Sequence, residues 1–65
     1  MKKLCTIYYR DGGHHQTMID IEKNTPLSIG QRMSGGFIIC EDDRWQKSRV
    51  IVVNLADVKS VVIEE

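Results

Sequence analysis

The strongest constraint on this chain lies in its first third. Residues 2–10 alternate, with Cys5, Ile7 and Tyr9 on one side and Leu4, Thr6 and Tyr8 on the other. Asp11-Gly12-Gly13 interrupts the pattern, and residues 14–22 resume it, setting Thr17, Ile19 and Ile21 against Met18, Asp20 and Glu22. A period of two is the spacing of a strand, whose successive side chains point to opposite faces. A glycine pair between two such runs supplies the positive φ angles of a tight turn. An antiparallel β-hairpin is predicted here, and the rest of the chain must cover its apolar face.

Composition extends that reading. Eight Ile and six Val stand against three Leu and one Ala. Val and Ile lose rotamer freedom in helices and pack well on pleated surfaces, so the balance predicts an all-β or mostly β fold. With 65 residues and 7.5 kDa the chain makes one domain, residues 1–65. A domain of this size buries only roughly 60% of the surface its unfolded form exposes, which leaves little room for a deep cleft.

Beyond the hairpin, Lys23-Asn24-Thr25-Pro26 breaks the alternation. Thr25 suits the cap of a short helix with Pro26 at its first position. Gly30 and the lack of an apolar stripe fit an extended loop or a short strand around residues 27–29 equally well, so residues 26–34 stay open. Phe37-Ile38-Ile39-Cys40 reads as a strand, Glu41-Asp42-Asp43 as a polar turn, and residues 44–55 as the longest strand. In that strand Ile51, Val53 and Leu55 share one face and Val50 and Val52 the other. Residues 54–58 suit a 3₁₀ turn before a last strand over residues 60–64.

This order of parts resembles the SH3-like small β-barrel proteins of bacteria and phage. The resemblance rests on the Asp11-Gly12-Gly13 hairpin, the long fourth strand, and Asn54-Leu55-Ala56-Asp57-Val58 before an ending Val61-Val62-Ile63. It implies a five-stranded antiparallel barrel or curled sheet, in which a 3₁₀ turn often precedes the final strand. The aromatic-and-proline peptide groove of eukaryotic SH3 domains is absent from the sequence. Five short strands must hide their edges by curling into a barrel or by pairing with another copy.

Charge and motifs exclude several functions. Nine basic residues balance nine acidic ones, whereas binders of polyanions usually carry a basic excess. The apolar run after Met1-Lys2-Lys3 stops at Arg10, short of a secretion signal, and no run could span a bilayer, so a cytoplasmic location is expected. Cys5 and Cys40 share no metal-ligand spacing and read as buried thiols. His14 and His15 point to opposite faces of a strand, so no metal or cofactor is expected. No nucleophile-base or paired-carboxylate motif occurs, and no enzyme activity is expected.

Three binding readings remain. Trp45, Arg44, Arg32 and Tyr8 are residue types that dominate protein–protein contacts, pointing to a protein partner or a homo-oligomer. On an extended strand Trp45, Lys47 and Arg49 share a face which, with Arg10, could stack bases and hold the phosphates of a single-stranded nucleic acid. The glycine-rich segment 30–36 offers a third surface, for a small molecule.

Overall fold

The computed structural model describes residues 1–44 and 47–64. Strand β1 (Lys2–Tyr9) and strand β2 (His14–Asp20) form the expected hairpin, with Lys2 opposite Asp20 and Tyr8 opposite His14. Gly12 supplies the positive φ at +97°, which a Cβ would strain. The turn closes through a 2.8 Å bond from Tyr9 N to Gly13 O, and Asp11 Oδ1 accepts from Gly13 N at 2.8 Å.

Helix α1 (Pro26–Arg32) settles the segment that the sequence left open. Thr25 caps it by accepting from Ser28 N at 3.2 Å, and Pro26 stands in the first turn, where its missing N–H costs nothing. Only Ile29 of this helix is buried, so propensity and burial alone hold it weakly. The first part of the 30–36 segment, up to Arg32, is therefore helix rather than loop.

Strands β3 (Phe37–Asp42) and β4 (Arg49–Asn54) pair antiparallel as a second, two-stranded sheet, with Phe37 opposite Asn54 and Asp42 opposite Arg49. A 3₁₀ turn (Leu55–Asp57), capped by Asn54 Oδ1 accepting from Ala56 N at 3.0 Å, carries the chain to the other sheet. There β5 (Val58–Ile63) pairs antiparallel with β1, giving the order β2-β1-β5. The register slips between Tyr8 and Tyr9, and β2 packs beside β3. The fold is mostly β, antiparallel, and built of two sheets.

Two boundaries differ from expectation. Glu41 and Asp42 end β3 instead of forming a turn, because Asp42 is buried and its carboxylate anchors the backbone just beyond the strand. The long fourth strand starts only at Arg49, and Lys47 and Ser48 lie outside it. Arg44 N donates to Asp42 Oδ1 at 3.1 Å, an Asx-type turn that bends the chain away from the strand path.

The core draws on every element. Cys5 and Ile7 from β1, Ile19 from β2, Ile29 from α1, Ile38 and Cys40 from β3, Val53 from β4, and Leu55 and Val58 are all buried together. Burying each aliphatic side chain contributes about 1.5–3 kcal/mol, which makes this cluster the main source of stability.

Candidate protein-binding surface

The residues singled out from the sequence are held by different parts of the fold. Tyr8 is exposed on the outer face of β1, its ring stacked on His14 at 5.7 Å. Arg32 is committed to the chain itself. Its Nε donates to Ser28 O at 3.2 Å, Nη1 to Phe37 O at 2.8 Å, and Nη2 to Asn24 Oδ1 at 3.2 Å and Ser28 Oγ at 2.7 Å. These bonds tie α1 to the start of β3. Arg44 grips the buried carboxylate of Asp42 at 2.7 Å and reaches Gln16 O at 3.4 Å. That carboxylate holds the guanidinium still more firmly protonated than usual.

The basic set lies among carboxylates. Arg10 donates to Ala56 O at 3.1 Å and shares a shallow groove with Asp11 and Asp57. Arg49 lines another groove beside His15, Gln16 and Asp42. Lys47 is exposed but stands outside β4, so the one-face strand alignment with Arg49 is not formed. Trp45 lies outside the described residues.

An apolar strip on the second sheet is open to solvent. On the outer face of β3 and β4, Phe37 is 59% exposed, Ile39 52%, Val50 68% and Val52 61%. Ile39 and Val52 stand directly opposite one another in the ladder, and Val50 faces Glu41. Polar groups rim the strip: Lys23 Nζ lies 3.7 Å from Glu41 Oε1, and Lys2 Nζ lies 3.2 Å from Asp43 Oδ2. An apolar centre inside a polar rim is the anatomy of a contact surface. The signal was present in Phe37-Ile38-Ile39-Cys40, a strand apolar on both faces in a domain too small to cover both.

Chemistry in the interior is limited. Cys5 and Cys40 are buried free thiols, one on each sheet. The influence of Cys40 holds the Cys5 thiol below its ordinary range, and that of Cys5, with burial, pushes Cys40 up. Burial keeps both from outside reactants. His15 stacks on Tyr9 at 5.5 Å, on the face opposite His14 and Tyr8. Among the described residues no three His, Cys, Asp or Glu side chains gather where they could hold a metal ion. No helix among them is long and apolar enough to cross a membrane.

Comparison with known protein families, with curated proteins and with solved structures finds no match to this chain.

Proposed function

We propose that this chain is a non-catalytic protein-binding module on an SH3-like small β scaffold, with the outer face of β3 and β4 as its contact surface. The observation that carries this reading is the strip of Phe37, Ile39, Val50 and Val52, each more than half exposed in a domain of 65 residues. Covering such side chains supplies the apolar driving force of association. The intermixed charge of the rim favours a protein over a nucleic acid, since Lys2 and Lys23 are each set against a carboxylate.

The test compares retention of protein partners by the wild type and by an Ile39→Lys/Val52→Lys double variant. Circular dichroism first establishes that the variant keeps its fold. Stoichiometric retention by the wild type and none by the variant is expected; equal retention by both refutes the assignment of the face. Addition of a mixed-sequence single-stranded oligonucleotide is expected to leave the amide spectrum unchanged. Salt-sensitive shifts at Arg10, Lys47 and Arg49 would transfer the role to the basic residues.

A further inference from the structure

The side chain of Lys3 is a cation on the apolar side of its strand. Along β1 it shares a side with Cys5 and Ile7, the core face of the sheet, and its register partner is the fully buried Ile19. Inward-pointing charge commonly guards a sheet edge, but β1 is the middle strand of β2-β1-β5 and has no edge to guard. Lys3 is half-buried, yet it forms no ion pair among the described residues. The carboxylates flanking Ile21 in sequence, Asp20 and Glu22, are engaged by the Met1 ammonium at 3.3 and 3.5 Å.

The surroundings of Lys3 are apolar. With Ile21, Pro26, Val61 and Ile63 it lines a groove of 330 Å³ at the end of the first sheet. Ile21, Val61 and Ile63 rest on the core and so form a fixed wall. Other grooves on the molecule differ in charge: those at Arg10 and Asp57, at Arg49 and Asp42, and at Lys23 and Glu41 each hold both signs. Here a single cation stands over aliphatic walls.

We propose that this groove binds a small amphipathic carboxylate, its apolar tail against Ile21, Pro26, Val61 and Ile63 and its carboxylate on the Lys3 ammonium. Size and sign select this class. At about 30 Å³ for each water-sized group, the groove holds about eleven heavy atoms, which suits a medium-chain acid and is too small for a folded partner. A carboxylate answers the one charge present, whereas a neutral amphiphile leaves it unpaired and a cationic one is repelled. The half-buried position weakens screening of that pair by salt and water. The site lies apart from the β3–β4 strip and from residues 30–36, so it does not depend on the protein-binding reading.

Amide NMR titration of the full chain with octanoate, at neutral pH, tests the proposal, with octan-1-ol, octylammonium and acetate alongside. Octanoate is expected to shift the amides of Lys3, Ile21, Val61 and Ile63 saturably, with a dissociation constant on the order of 1 mM. Octan-1-ol should bind about fivefold more weakly, the share of one partly exposed ion pair, and acetate should cause no saturable shift. Lys3→Gln should weaken octanoate about fivefold and leave octan-1-ol unchanged, and Lys3→Glu should turn the preference toward octylammonium. Circular dichroism first establishes that both variants keep their fold; the comparison of the three octyl compounds uses the wild type alone and stands without them. The proposal is overturned by octanoate and octan-1-ol binding equally, by an octanoate affinity that Lys3→Gln leaves unchanged, or by no saturable shift at these amides up to about 10 mM octanoate. Octanoate shifts confined to Phe37, Ile39, Val50 and Val52 overturn it as well, since they would mark general contact with exposed apolar surface.

Discussion

Replacing Arg32 with Met separates a structural arginine from a binding one. Met keeps most of the aliphatic stem and removes the four hydrogen bonds to Ser28, Phe37 and Asn24. The acceptors on Ser28 and Phe37 lie close to solvent and recover water. Asn24 does not: it is buried, and its Oδ1 loses the guanidinium while its Nδ2 still donates to Ile39 O at 3.3 Å. One buried acceptor left without its partner costs about 1–3 kcal/mol, so about 2 kcal/mol is expected for the variant. A domain of 65 residues has a total stability of about 3–10 kcal/mol, so the loss is a large share. In a thermal melt it corresponds to a fall of about 8–16 °C. Arg32→Lys restores the charge but not the planar fork and should recover less than half of that fall. A melting temperature for Arg32→Met within about 3 °C of wild type, well under the shift expected for 1 kcal/mol, would refute the reasoning and return Arg32 to the pool of binding residues.

Other outcomes rest on single contacts. A Cβ on Gly36 would meet Arg32 Cβ at 2.8 Å, so Gly36→Ala should destabilise by about 1–3 kcal/mol in urea unfolding. The Asp20 carboxylate accepts from Glu22 N at 3.0 Å and from the Met1 ammonium at 3.3 Å, and the first of these chiefly holds it below the ordinary 3.8. A group depressed in the folded state stabilises above its unfolded value, and that stability is lost as the pH falls through the folded one. Asp20→Asn should therefore flatten the melting profile on the acid side, as the pH falls through and below the ordinary carboxylate range, and an unchanged slope would count against the contact. Ile7→Ala, at the fully buried centre of β1, should cost about 2–5 kcal/mol by denaturant unfolding. Cys5 and Cys40 should resist alkylation in the native protein and react fully in denaturant; rapid labelling without denaturant would show that the core opens.

The parts legible in the sequence were those whose physics is local. The first hairpin follows from period-two alternation around Gly12, and the 3₁₀ turn from Asn54 capping Ala56. Both use contacts within a few residues. Helix α1 was half legible. Thr25 and Pro26 announce its start, but its hold on the fold comes from Arg32 reaching Phe37 and Asn24, which no local pattern encodes. The start of β4 was misplaced for the same reason: Asp42 is buried and draws Arg44 back, a tertiary effect on a stretch whose residue types suit a strand. For the contact surface, Phe37 and Ile39 were visible as apolar residues, yet nothing in their spacing says which face the small domain leaves uncovered. Of the residues first chosen for binding, Arg32 and Arg44 are engaged by neighbours within the chain instead of standing free.

The central position of β1 bears on the order in which the molecule can be made. One flank of β1 is taken by β2, which comes next in the chain, and the other by β5, the last strand, with Glu64 N donating to Leu4 O at 2.9 Å. A ribosome delivering this chain releases β1 and β2 early, and the hairpin can zip within microseconds. The second flank of β1 then stays bare until residues 58–63 have emerged, together with the Val58 that seals the core. Every nascent copy thus passes through an interval in which its middle strand displays Cys5, Ile7 and an unpaired backbone to its surroundings. On crowded polysomes that interval is when mispairing between neighbouring chains competes with completion of the fold.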